Sequence, residues 1–280
     1  QDTSAVDYMF SWHGNADLIV AIIKLFEDLK NSENDIIDKG VQAILLVEDS
    51  VRFYSTYLPE LYKLILKQSS EFLKETLNEQ QRKFRKRSRP KILLATNLDD
   101  ALQMYTRYRN NLLGVISDVG FTVHKGDSAD MEKLDAGIDL VKHIKADNEK
   151  MPILLQSSQD SISAVAKELG VGFLRKYSKT LMLQLSDYIK EEFGFGDFVF
   201  RDANHVEYGR AANLKELEAI IREVPDEVLL YVTSKNMLSK WFMARGLFTL
   251  GERFRTVLET QFGTVSDLRA YVSQQIHDFH

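Results

Sequence analysis

Five short apolar runs, each followed by a stretch of helical periodicity, fill the middle of the chain and leave few folds open to it. The runs are Ala43–Val47, Lys91–Ala95, Gly114–Ser117, Ile153–Gln156 and Gly172–Leu174, with helical patterns around 52–86, 98–109, 136–146, 160–169 and 179–192. Continuous apolar runs this short suit strands buried on both faces. Their alternation with helices makes the sheet parallel, with right-handed crossovers. The expected fold is α/β, a five-stranded, doubly wound parallel sheet with an unusually long first helix. In such sheets the functional groups collect in loops beyond the carboxyl ends of the strands.

The flanks follow other patterns. At the start, Tyr8–Trp12 reads as a strand and Asn15 as the N-cap of a helix whose apolar face holds Leu18, Ile19, Ile22, Ile23, Phe26 and Leu29. The polar stretch 32–40 reads as a linker. The long helix runs from Tyr54 to Arg87, and the segment Arg82–Arg89 carries six basic residues in eight. Cations suit a solvated helix C-terminus; a patch for phosphate or an acidic partner is the other reading. After Glu192 the alternation stops. Gly194-Phe195-Gly196 breaks the chain, a hairpin is expected from 197–200 and 206–209, and helices follow at 213–223, 227–234 and from Leu238 onward. Trp241 and Phe242 read as core. The expected domains are 1–40, 41–192 and 193–280, the last a small, mostly helical α+β domain.

Composition removes whole classes of function. The 280 residues include no cysteine, which excludes disulfide scaffolds, thiolate metal sites and a cysteine nucleophile. A formal net charge of −5 argues against a nucleic-acid binder. No apolar run is long enough to span a bilayer and no basic-then-apolar leader opens the chain, so a membrane partner is not expected and a cytoplasmic location is. Gln1 in place of Met fits a piece trimmed from a longer polypeptide. Of the six histidines only His277 and His280 stand at i, i+3 spacing, and metal binding by histidine is not expected. P-loop, dinucleotide-binding and G-x-S-x-G patterns are absent.

The chemistry lies on the strand ends. The first run ends in Glu48-Asp49, the third in Asp118, the fourth in Ser157-Ser158, and the fifth is followed by Lys176. Three carboxylates, a hydroxyl and an ammonium therefore meet at one edge of the sheet. Half-buried carboxylates at such density repel one another. A lysine and a hard divalent cation, Mg²⁺ above all, make the cluster tolerable. The set suits phosphoryl transfer onto a carboxylate: Asp118 as nucleophile and phosphoacceptor, Mg²⁺ on Glu48, Asp49 and Asp118, and Lys176 and Ser157 holding phosphoryl oxygens.

Taken in order, Leu45-Leu46-Val47-Glu48-Asp49-Ser50, Val115-Ile116-Ser117-Asp118, Leu154-Leu155-Gln156-Ser157-Ser158 and Gly172-Phe173-Leu174-Arg175-Lys176 resemble the receiver domain of bacterial two-component response regulators. The resemblance covers roughly 41–192 and implies the flavodoxin-like form of the sheet. It further implies a metal-binding backbone carbonyl at Gly120, a switch pair of Ser157 and Phe173, and a residue tuning dephosphorylation at Gln159. The partner would be a sensor histidine kinase or phosphotransfer protein, in a phosphorelay rather than a turnover enzyme. The C-terminal domain, or a homodimer surface that includes the long helix, would read out the switch. The opening strand and helix resemble the end of a further receiver, with Trp12 in place of its lysine. Region 193–280 resembles a segment that follows receivers in polypeptides related to phosphoenolpyruvate synthase.

The chain departs from the family pattern in places. The loop from Phe121 to Leu134 is enlarged, and Tyr177 stands where receivers usually carry proline after the lysine. A degenerate receiver that no longer takes phosphate and acts as an interaction scaffold is the alternative reading. A haloacid-dehalogenase-type phosphatase would need a second Asp two residues beyond Asp118, where Gly120 stands.

Overall fold

A computed structural model of the chain describes residues 8–12, 14–74, 88–257 and 259–279. It divides into two compact units, Gln1–Ser186 and Asp187–His280.

The first unit is built on the strands β1 (Ala43–Val47), β2 (Lys91–Ala95), β3 (Leu112–Asp118), β4 (Ile153–Ser157) and β5 (Gly172–Arg175). They pair in parallel in the order β2-β1-β3-β4-β5, the flavodoxin-like arrangement. Every residue of β1, β2 and β4 is buried, and only Asp118 of β3 is not, as a sheet covered on both faces requires. The strands sit within a residue or two of the apolar runs that predict them. Helix α1 (Asp17–Ser32) precedes the sheet, and α2 (Val51–Lys74), α3 (Leu98–Tyr108), α4 (Ala136–Asp147) and α5 (Ile162–Glu168) cross between strands. Asn97 caps α3, its side-chain oxygen accepting from the N–H of Asp100 at 2.8 Å. Chain order reverses between β1 and β3, so the crevice at their carboxyl ends is the topological switch point. None of the described helices is long and apolar enough to cross a membrane.

Several expectations for the flanks need correction. Tyr8–Trp12 forms no strand; its groups bond outward instead, Tyr8 Oη donating to the carbonyl of Leu94 at 2.8 Å and the N–H of Ser11 to Ser55 Oγ at 3.0 Å. The seam that α1 buries is Leu18, Ala21, Leu25, Asp28 and Ser32, while Ile19, Ile23 and Phe26 are exposed. A charged residue in the seam hides it from hydrophobic periodicity. The polar stretch after α1 is a π-helical turn, Glu33–Asp38, that drives Ile36 fully into the core.

Asp28 explains why α1 packs against α2 and β2. Its buried carboxylate accepts from Tyr62 Oη at 2.9 Å, from the Arg89 guanidinium and from the backbone N–H of Ile92 at 3.0 Å, with Lys91 Nζ 3.6 Å away. The Ile92 N–H lies on the outer edge of β2, so α1 also shields the end of the sheet. Arg89 is therefore an interior ion-pair partner and not part of a solvated basic run. Residues 82–87 of that run, and the continuation of the long helix toward Arg87, lie outside the described residues.

The second unit takes in the end of α6 (Leu181–Glu192) and then β6 (Phe198–Arg201) and β7 (Glu207–Ala211), an antiparallel hairpin. Five helices follow: α7 (Leu214–Glu223), α8 (Asp226–Ser234), α9 (Met237–Ala244), α10 (Phe248–Arg255) and α11 (Val265–His277). The single long helix expected from Leu238 is instead broken, because Gly246 takes φ of 71°. Trp241 and Phe242 are buried in this unit's core. Gly194 and Gly196, at φ of 81° and 74°, make a corner that Arg245 clamps by donating to both carbonyls while its guanidinium lies over the Trp241 ring.

Candidate functional site

The carboxyl edge of the sheet gathers the polar residues singled out in the sequence. Glu48 and Asp49 follow β1, Asp118 ends β3, Ser157 ends β4 and Lys176 follows β5. Strand register does the positioning: Val47 stands beside Ser117, Asp118 beside Gln156, and Ser157 beside Arg175. One carboxylate oxygen from each of Glu48, Asp49 and Asp118 lies within 4.8 Å of the others. Lys176 Nζ reaches across the sheet to Asp118 Oδ2 at 2.6 Å and to Glu48 Oε2 at 2.8 Å. Its own backbone N–H donates to the carbonyl of Ser157 at 2.9 Å.

Electrostatics here are those of a site short of positive charge. Glu48 is 1% exposed. Burial, and then the Asp118 charge, push its pKa up to about 8 against the opposing pull of Lys176. Burial, then Asp118 and Glu132, raise that of Asp49 to about 6. Burial alone would lower the Lys176 pKa, but Glu48 and Asp118 outweigh it and the ammonium is held more firmly than in water. One ammonium thus faces three carboxylates. Glu48 Oε2, although close to Lys176 Nζ, makes no aligned hydrogen bond. Crowded hard oxygen donors with unspent acceptor capacity are the chemistry of a Mg²⁺ or Ca²⁺ site, and the residues present fit such an ion.

The remaining expected residues take their places with less definition. Ser157 is buried, and its Oγ accepts from the backbone N–H of Gln159 at 3.2 Å. Phe173 is half-buried on β5 and packs against the sheet core. Tyr177 follows Lys176 at φ of 66°, left-handed backbone that a bulky side chain rarely adopts, and is 65% exposed.

Other residues at the site escape sequence reasoning. Phe53, one turn into α2, puts its ring 4.1 Å from Lys176 Nζ and packs edge-on to Tyr177. The buried Tyr57 hydroxyl, next on the same face, has no hydrogen-bond partner; burial and then the charges of Glu48 and Asp118 raise its pKa. Gly137, in the first turn of α4, donates its N–H to the Val119 carbonyl at 2.8 Å. A Cβ there would overlap the Asp118 carbonyl, so only glycine lets α4 begin against the strand end that carries Asp118. A glycine one residue into a helix pattern was the available signal.

The enlarged loop after β3 is held at several points. Phe121 and Lys133 form an antiparallel bridge, and the carbonyls of Thr122 and Val123 accept from the N–H groups of Leu98 and Asp99 at the start of α3. The bridge sets Glu132 beside Gly120, where its carboxylate occupies the space a Cβ on Gly120 would take.

No protein-family model matches the chain, and no curated protein matches it. Among solved structures, it is similar to a response regulator receiver domain protein from Clostridium thermocellum at 20% identity and a TM-score of 0.35, over 53% of this chain and 91% of that one. It is also similar to the receiver domain of NtrX from Brucella abortus, at 20% identity and a TM-score of 0.31 over 52% and 98% of the two chains. Full-length FixJ from B. japonicum matches at 18% identity and a TM-score of 0.32, over 84% of this chain and 97% of that one.

Proposed function

We propose that the first unit is a phosphoryl-accepting receiver of the response-regulator kind, with Asp118 as acceptor. The observation that carries this reading is Lys176, whose ammonium reaches across the sheet from the end of β5 to Asp118 and Glu48, with Asp49 within the same 4.8 Å cluster. A structural lysine needs one partner; this one leaves a surplus of negative charge.

In the reaction, an Asp118 carboxylate oxygen forms the new bond to phosphorus as the bond from phosphorus to the donor's nitrogen or oxygen breaks, and the leaving group keeps that electron pair. Lys176 then offsets charge on a phosphoryl oxygen, and the Ser157 hydroxyl turns to donate to another. Glu48, Asp49, Asp118 and the Gly120 carbonyl would hold a divalent cation, Mg²⁺ in this reading, which supplies charge neutralisation. Phe53 keeps Lys176 facing Asp118. Recruitment of Ser157 would bias a two-state equilibrium of β5 through Phe173, and Gln159, whose N–H already bonds Ser157, would set how readily water removes the phosphoryl group. The donor would be a sensor histidine kinase or phosphotransfer protein in the cytoplasm. The C-terminal unit or a dimer surface would read the state, and the chain would act as an acceptor with no separate substrate to turn over.

A phosphoryl mimic tests this without waiting on slow chemistry. Fluoroberyllate with Mg²⁺ will raise the melting temperature of the parent chain, worth about 3 kcal/mol at a hundredfold excess over Kd. Asp118→Asn will show no such shift. No shift in the parent, or an equal shift in the variant, would count against the acceptor role.

A further inference from the structure

We propose that Tyr177 is a positioning residue for Lys176: its ring, carried on left-handed backbone, braces Phe53 against the lysine ammonium. This inference rests on the phosphoryl-acceptor reading above and adds to it a residue from outside the acidic cluster.

Lys176 has the hardest placement of the strand-end groups. Its unbranched stem crosses from the end of β5 past β4 to bring Nζ to Asp118 at 2.6 Å and to Glu48 at 2.8 Å. A flexible four-carbon stem with a rotatable ammonium does not hold that line by itself. What stands beside it is aromatic. The Phe53 ring, in the first turn of α2, has its centroid 4.1 Å from Nζ. Two further rings fix Phe53. Tyr57, one turn on in α2, stacks on it with centroids 5.8 Å apart, and Tyr177 meets it edge-on at 5.2 Å. The Arg52 guanidinium in turn lies over the Tyr177 ring, 5.8 Å from its centroid.

Tyr57 is buried and belongs to the packing of α2. Tyr177 is a different case. Arg175–Ser178 is a turn closed by the N–H of Ser178 on the carbonyl of Arg175 at 3.3 Å, and Tyr177 is its third residue, at φ of 66°. Positive φ at that place calls for glycine or asparagine, and a tyrosine there is strained. Burial does not offset the strain, because the residue stays 65% exposed. Strain of this kind persists at sites that make use of it. What the ring touches is Phe53 and, through Phe53, the ammonium. An ammonium already aimed when the phosphoryl group arrives stabilises its developing charge with no reorientation of the stem.

The test follows intact mass against time for the whole 280-residue chain with acetyl phosphate and Mg²⁺. Fluoroberyllate affinity is measured beside it, so that a slow donor does not hide the effect. Tyr177→Gly removes the ring and the strain together, Tyr177→Phe keeps the ring, and Phe53→Leu removes the surface that the ring braces. Tyr177→Gly and Phe53→Leu will each lower rate and affinity about tenfold or more, as misplacing a charge-stabilising group does. Tyr177→Phe will restore both. Affinity for Mg²⁺ alone, by calorimetric titration, will be unchanged in all three, because the carboxylates keep their places. Tyr177→Gly will melt no lower than the parent, since glycine takes the left-handed turn freely. Rate and affinity within about twofold of the parent in Tyr177→Gly or in Phe53→Leu would overturn the inference and leave the acceptor reading intact. So would a Tyr177→Phe chain as impaired as Tyr177→Gly, or a Tyr177→Gly chain that melts several degrees below the parent. A parent chain that takes up no phosphoryl group and binds no fluoroberyllate would overturn both.

Discussion

Asp28→Ala will lower the stability of the first unit by about 3–5 kcal/mol, the largest effect expected of any single change outside the strand-end site. Asp28 is fully buried, and its loss strands a buried guanidinium and leaves the Tyr62 hydroxyl without its acceptor. The N–H of Ile92 on the open edge of β2 loses its partner as well. The charge of Lys91 remains balanced through Asp35 at 2.8 Å, which keeps the cost from rising further. The comparison is Ile19→Ser on the same helix. Ile19 is 54% exposed, so that change will stay within about 0.5 kcal/mol of the parent. Urea unfolding followed by far-ultraviolet circular dichroism measures both. If Asp28→Ala cost less than about 1 kcal/mol, α1 would not be the integral cover of the sheet edge that its bonds imply.

The second large effect is one of pH. Glu48 and Asp49 hold protons more tightly in the folded chain than in the unfolded one, with pKa values raised to about 8 and about 6 from 4.5 and 3.8. Their contribution to stability is therefore complete below the unfolded values and is lost as pH rises through the folded ones. Without divalent cation, stability will fall between about pH 5 and pH 8 by roughly 2–4 kcal/mol, judged from the size of such shifts. Glu48→Gln, which fixes the neutral form, will be more stable than the parent at pH 8 and will flatten most of that slope. Saturating Mg²⁺ will favour the ionised carboxylates and tilt the parent's slope the other way. Thermal unfolding at a series of pH values, with chelator or with Mg²⁺, reads all of this. A Glu48→Gln chain that is less stable than the parent at pH 8 would mean that Lys176 already satisfies the cluster.

These two effects mark where sequence was sufficient and where it was not. The five strands were legible because burial on both faces demands an unbroken apolar run, and nothing else in the chain supplies five such runs in alternation with helices. The strand-end site followed from that: once the sheet is parallel, Glu48, Asp49, Asp118, Ser157 and Lys176 must share an edge, and the geometry brings Glu48, Asp49, Asp118 and Lys176 together. Long-range polar pairing was not legible. Asp28 finds Arg89 across 61 residues and breaks the apolar period that would have revealed its face. Half of the apolar stripe read on α1 is consequently exposed. Glu132 depends on a loop bridge with no periodic signature, and Gly137 and Phe53 act through close approach, which a one-dimensional pattern does not encode. The break in the C-terminal helix could have been read at Gly246, a residue suited to the left-handed backbone found there.

The central claim is that Asp118 takes up a phosphoryl group, and the most direct measurement is intact mass after incubation with acetyl phosphate and Mg²⁺. The parent chain will gain the mass of one phosphoryl group, and Asp118→Ala, treated alongside, will gain none. A parent chain that stays unmodified under conditions where fluoroberyllate also fails to bind, or an Asp118→Ala chain that gains the same mass, would contradict it.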